Sequence, residues 1–65
     1  MSAALSIVVP AYNEAGRIGA SVRAIDAWAR ASATPIELIV VDDGSDDATA
    51  DEAAAAAPCR VLRNP

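Results

Sequence analysis

Six residues, Ile36-Glu37-Leu38-Ile39-Val40-Val41, constrain this chain more than any others. They are apolar at both parities except at Glu37. Successive side chains of a strand point to opposite faces, so a stretch apolar on both sides expects cover on both sides. That is the situation of strands in a parallel sheet packed on both faces. The stretch then runs straight into Asp42-Asp43-Gly44-Ser45-Asp46-Asp47. This order predicts negative charge and hydrogen-bond acceptors at the carboxyl end of a buried strand, the edge where open α/β sheets bind ligands.

The flanking segments alternate in kind. Residues 5–9 form a β-branched run, with Leu5, Ile7 and Val9 on one face and Val8 on the other, and predict a first strand. Pro10 ends it, because proline donates no ladder hydrogen bond. Residues 11–16 form a loop. Ile18, Val22, Ile25, Trp28 and Ala29 recur at helical spacing from residue 15 to about residue 31. The polar Arg17, Arg23, Asp26 and Arg30 fall elsewhere, so this is an amphipathic helix. Trp28 is expected in its packing stripe rather than as a binding platform. Residues 32–35 return the chain to the strand at 36–41. After the acidic loop at 42–46, a second helix is expected from about residue 47 to 57. Its N-cap is Ser45 or Asp46, and Asp47 sits in the positive first turn. The alanines at 53–57 favour helix but bury little area each. Pro58 stops the helix, and residues 60–63 form a short third strand.

Strand, helix, strand, helix, strand is the signature of an α/β fold with parallel strands and right-handed crossovers. In the spatial order 3-2-1, both crossovers place their helices on one face and leave the other bare. The order 2-1-3 would cover both faces thinly. In either case the expected architecture is a βαβαβ half of a Rossmann-like parallel sheet. The apolar second face calls for a layer these residues do not encode, so residues 1–65 are expected to be part of a larger domain.

Composition excludes several functions. Sixty-five residues allow one domain at most, and a chain this short buries only about 60% of its unfolded surface. A hydrophobic content of 54% is too high for a disordered tail. The net charge of −4, with no basic cluster, argues against nucleic acid as a partner. There is no histidine, the commonest general base and metal ligand. The single cysteine, Cys59, can form no internal disulfide and reads as a small buried apolar residue. Residues 1–4 lack the charged start of a secretory leader, and no apolar run approaches the ~20 residues of a membrane span. A cytoplasmic location is therefore expected.

Two acid-bearing loops follow two strands at the same relative place, which suggests one cleft. Asp42 and Asp43 repel each other unless a donor-rich ligand or metal offsets the repulsion. On extended backbone they point in opposite directions. One can then accept hydrogen bonds from a ligand while the other braces the loop. Gly44 permits a tight turn. The blander reading is a turn followed by a helix cap. In the other loop, Pro10 and Tyr12 offer a flat slot, Ala11 lies between them, and Asn13 can brace the backbone through its amide. Glu14 is either an acceptor for paired ribose hydroxyls or a favourable acid at a helix start. A nucleobase needs a slot and an acceptor for its imide proton, and Asp43 with Glu14 can supply acceptors. No G-x-G-x-x-G and no Walker sequence is present to hold phosphates.

The pair Ile7-Val8-Val9-Pro10-Ala11-Tyr12-Asn13-Glu14 and Val40-Val41-Asp42-Asp43-Gly44-Ser45, with Thr49, resembles the start of a family 2 glycosyltransferase. The long first helix and Ala33-Thr34-Pro35-Ile36-Glu37 look most like the dolichyl- or polyprenyl-phosphate sugar transferases. The resemblance implies a GT-A-type fold and an inverting enzyme that takes a UDP- or GDP-sugar donor, with polyprenyl phosphate as one acceptor. It implies that Pro10, Ala11, Tyr12 and Glu14 line the nucleoside pocket, and that Asp43 binds the base with Asp42 as its neighbour. It also implies Mg²⁺ or Mn²⁺ in the full-length enzyme, held by a later Asp-x-Asp, and a later carboxylate as general base. Neither lies within residues 1–65, so the chain by itself is expected to be inactive. A membrane-associated full-length protein is compatible with this resemblance. Asp46 and Asp47 match no role in it and read as helix N-terminal charge.

Three other acid-bearing patterns fail. A receiver domain carries its paired acids after the first strand, where this chain has Pro-Ala-Tyr. A haloacid-dehalogenase phosphatase needs Asp-x-Asp-Gly-Thr there. Sugar nucleotidyltransferases begin with a glycine-rich, arginine-bearing loop. The remaining alternative is a non-catalytic nucleotide-binding or interaction module.

Overall fold

The computed structural model describes residues 4–65. The absence of a charged leader start was read from residues 1–4, and residues 1–3 of these lie outside the described part. The order of elements is β1 (Leu5–Ala11), α1 (Ile18–Ala31), β2 (Ile36–Asp43), α2 (Thr49–Ala56) and β3 (Arg60–Asn64). All pairings are parallel and the sheet order is β1-β2-β3, so the stretch apolar on both sides is the central strand. This is the 3-2-1 arrangement, and the 2-1-3 alternative does not occur.

Both helices lie on one face of the sheet and touch each other. The register aligns Ile7 with Leu38, Val9 with Val40 and Val40 with Val61 beneath them. Val22 of α1, Val40 of β2 and Ala53 of α2 are fully buried at the centre. Ile18, Leu38 and Ala11 complete the cluster, with Ile25 and Cys59 packed against it. Cys59 Sγ donates to the carbonyl of Ala53 at 3.6 Å, and burial pushes its thiol pKa up, so it behaves as a packed, unreactive group.

The opposite face carries Val8 beside Ile39 and Pro10 beside Val41, with Leu62 next to Val41. No described element covers it. Val8 is 57% exposed and Leu62 44%. A polar row bounds this apolar strip at one end. There the Ser6 hydroxyl donates to Glu37 Oε1 at 3.2 Å, and Arg60 Nη1 meets Glu37 Oε2 at 3.4 Å.

Several boundaries differ from expectation. β1 continues through Pro10 to Ala11. It is an edge strand, so half of its backbone donors face no neighbour and a proline costs the ladder nothing. α1 begins at Ile18 rather than residue 15, because Gly16 adopts φ +87° and breaks the helical path. α2 begins at Thr49 with Ala48 at the N-cap and no side-chain cap. Neither Ser45 nor Asp46 caps it. Trp28 is 59% exposed, against the expectation of packing. The buried stripe runs through Ile18, Val22, Ile25 and Ala29, and Trp28 stands about 60° to its side at 100° per residue.

Candidate functional site

The site is built where β1 and β2 end together. Ala11 stands beside Asp42 in the register, so the residues that follow, Tyr12 and Asp43, stand side by side at the strand ends. Pro10, Ala11, Tyr12, Glu14 and Asp43 line one open cleft of about 400 Å³. The structure thus brings together five of the six residues singled out in the sequence. Tyr12 is 56% exposed, and its ring forms a wall rather than part of the core.

Asp42 is the sixth, and it does not line the cleft. It is only 6% exposed and lies on the helix-covered face with Leu38 and Val40. Its Oδ1 accepts the Ser45 N–H at 3.3 Å and also the Ser45 hydroxyl. Alternation along β2 has split the two carboxylates as a pleated strand must. Asp42 braces the loop and Asp43 faces solvent at the cleft.

The β1–α1 loop is held by side chains from the β2–α2 segment. The Asn13 N–H donates to Ser45 Oγ at 2.9 Å, and the Glu14 N–H to Thr49 Oγ1 at 2.8 Å. The Ala15 N–H reaches Asp47 Oδ2 at 3.3 Å, and the Gly16 N–H reaches Glu52 Oε1 at 2.7 Å. Glu52 Oε2 takes the Gly19 N–H at 2.8 Å. In return, Asn13 Oδ1 accepts the Asp46 N–H at 2.9 Å. Asn13 has φ +49°, a left-handed conformation that asparagine tolerates better than most residues.

These bonds depress two carboxylates. The Thr49 hydroxyl, then the Thr49 and Ala15 amides, hold Asp47 below the ordinary aspartate range. The Gly16 and Gly19 amides, with Arg23 nearby, hold Glu52 below the ordinary glutamate range. Asp47 is therefore not merely helix-terminal charge, since it anchors both Ala15 and Thr49. Glu52 was missed at the sequence level. The spelling Thr49-Ala50-Asp51-Glu52 is that of a capping box, yet both polar side chains serve the neighbouring loop instead of their own helix. The available signal was an acid on the buried side of an alanine-rich helix.

This stitching decides the chemistry of the cleft. Five backbone N–H groups at the start of α1 are occupied internally, so none of them is offered to a phosphate. That is the reverse of a phosphate-binding loop, in which such groups point at the anion. The cleft presents an aromatic face, a proline and two carboxylates. One basic group stands beside it: Arg17 Nε pairs with Glu14 Oε2 at 2.9 Å. Among the described residues no group of three His, Cys, Asp or Glu side chains is placed to hold a metal ion. The described residues therefore offer no ligand set for the divalent cation that the resemblance implies. No described helix is long and apolar enough to cross a membrane.

The comparisons with known proteins agree with one another. The model of glycosyl transferase family 2 matches residues 6–65. An undecaprenyl-phosphate 4-deoxy-4-formamido-L-arabinose transferase of Serratia proteamaculans is 42% identical over 53 residues, covering 82% of this chain and 16% of that protein. A glucosyl-3-phosphoglycerate synthase of Mycobacterium tuberculosis, solved with Mg²⁺ and UDP, superposes with a TM-score of 0.76 at 33% identity. That match covers 95% of this chain and 21% of the solved one. The same enzyme with Mn²⁺, UDP-glucose and glycerol 3-phosphate gives a TM-score of 0.70 at 35% identity, again over 95% and 21%. The chain thus spans about a fifth or less of the length of these relatives.

Proposed function

This chain belongs to glycosyl transferase family 2, and on that premise we propose that its cleft holds the nucleoside of a nucleotide-sugar donor. The observation that carries this reading is the pairing of Tyr12 and Asp43 in one cleft at adjoining strand ends. A base can rest against Tyr12 and Pro10. The Asp43 carboxylate accepts its imide proton, and Glu14 accepts from ribose hydroxyls. Because the loop amides face inward, recognition at this end is of the nucleoside and not of the diphosphate.

The structural relatives were solved with UDP or UDP-glucose, which favours a UDP-sugar over a GDP-sugar as donor. One relative's name carries undecaprenyl phosphate, and the other was solved with glycerol 3-phosphate bound. A phosphate-bearing acceptor is the corresponding proposal here, with polyprenyl phosphate as its lipid form. The 65 residues form the nucleotide-binding part of a larger inverting glycosyltransferase domain. The uncovered apolar face of the sheet supports this, since in a complete domain that face expects a second layer. The divalent cation and the base that activates the acceptor then belong to other segments of the enzyme.

The test is a titration of UDP, GDP and CMP followed by amide NMR shifts. Saturable shifts at Tyr12, Glu14 and Asp43 with UDP, lost in Asp43→Ala, support the reading. A cooperatively folded chain that responds to no nucleotide turns it toward a non-catalytic interaction module.

A further inference from the structure

We propose that Thr49 and Glu52, which do not line the cleft, are positioning residues that set the Tyr12–Glu14 wall of the nucleoside pocket. The inference rests on the pocket reading above and adds two residues to it. It begins from proton bookkeeping at two hydroxyls. Thr49 Oγ1 has one proton, and it donates that proton to Asp47 Oδ1. Its lone pairs are then left to accept, and the donor they meet is the Glu14 N–H at 2.8 Å. Ser45 repeats the arrangement: its proton goes to Asp42, and it accepts the Asn13 N–H at 2.9 Å. Each carboxylate fixes the polarity of a hydroxyl, and each hydroxyl fixes one of the two consecutive amides of Asn13 and Glu14.

Glu52 completes the restraint from the other side. One carboxylate spans the turn, with Oε1 on Gly16 and Oε2 on Gly19. Gly19 leaves room for this approach, since a Cβ there would stand a tight 3.2 Å from Glu52 Oε2. Thr49 is fully buried and Glu52 half-buried, so neither touches a ligand in the cleft. Their effect on binding passes through the backbone of residues 13–19. Asn13 and Gly16, both at positive φ, are the two points where that backbone would otherwise relax.

Thr49→Val keeps the buried shape and removes the acceptor, while Thr49→Ser restores it. Glu52→Gln leaves one acceptor oxygen and turns an NH₂ toward a backbone donor. The experiment measures amide exchange and UDP affinity in the 65-residue chain and these variants. The expected result in Thr49→Val is faster exchange at Glu14, with Leu38 and Val40 still protected. UDP affinity falls about tenfold, the scale of one lost hydrogen bond, and Thr49→Ser recovers it. Glu52→Gln is expected to free Gly16 or Gly19 with a similar loss. A purely structural role would lower the unfolding midpoint and leave the affinity of the folded chain unchanged, which overturns the proposal. Absence of UDP binding by the unsubstituted chain, with these five amides still protected, overturns the pocket reading instead, and the positioning role for UDP with it.

Discussion

Asp42 and Asp43 are neighbours in sequence and stand on opposite faces of β2, one accepting from Ser45 beneath the helices and the other lining the cleft. Their substitutions should therefore separate binding from stability. Asp43→Asn is expected to weaken UDP binding by tenfold to a hundredfold, the range for a hydrogen bond to a charged group at about 1.5–3 kcal/mol. Its unfolding midpoint should stay put. Asp42→Ala strands two donors of Ser45 and should cost about 2 kcal/mol of stability in urea denaturation. Equal effects of the two on affinity would contradict this division.

The two faces of the sheet should respond unequally to truncation. Val40 is fully buried and Val8 is 57% exposed. Val40→Ala removes packed methyl groups and should cost about 2 kcal/mol. Val8→Ala should stay within about 0.5 kcal/mol. Chemical denaturation of the pair reads the difference directly.

Acid should loosen the loop before it melts the sheet. Asp47 and Glu52 have pKa values lowered by hydrogen bonds in the folded chain. A lowered folded pKa means the unfolded state binds protons more readily, so the stabilisation is complete above the ordinary carboxylate range. It fades as pH falls from there through the depressed folded values. Arg23 supports the charged form of Glu52 and Asp47 opposes it. Protection of the Ala15, Gly16 and Gly19 amides, relative to their intrinsic exchange rates at each pH, should fall across that window while Val40 stays protected. Protection that rises as pH falls would reverse the assigned sign.

Gly44 should resist substitution. Its φ is +77°, and a Cβ there would meet the Pro65 carbonyl oxygen at 3.2 Å. Gly44→Ala then combines left-handed strain of about 1–2 kcal/mol with a backbone clash. It should lower the melting temperature and disturb the Asp43 end of the cleft, seen as weaker UDP binding.

The 65-residue chain should transfer no sugar. Incubation with labelled UDP-glucose and a phosphate-bearing acceptor is expected to yield no product, since no described cluster is placed to carry a metal. Product formed by the purified chain would show that chemistry resides where only nucleoside binding is proposed.

Most of the architecture was legible because periodicity is local. The apolar parities of residues 36–41 called for cover on both faces, and crossover handedness showed which strand order would leave one face bare. Pairing of the Tyr12 and Asp43 loops followed from equal position after parallel strands. What stayed hidden was long-range and polar. Ser45 looked like a cap, Asp47 like helix-terminal charge and Glu52 drew no reading at all, because the amides they bond lie 32 to 36 residues away in sequence. Trp28 failed for another reason. A helix over a three-stranded sheet buries only a narrow stripe, and a large ring at its margin finds nothing to lean on.

The cross-loop ladder also restricts how this segment can vary. Amides 13 to 16 are matched one by one to Ser45, Thr49, Asp47 and Glu52. Inserting or deleting a single residue between Tyr12 and Gly16 would misalign every rung beyond it. Surface loops commonly drift in length, but these two are tied like the halves of a zip, and a change of length in one demands a compensating change in the other.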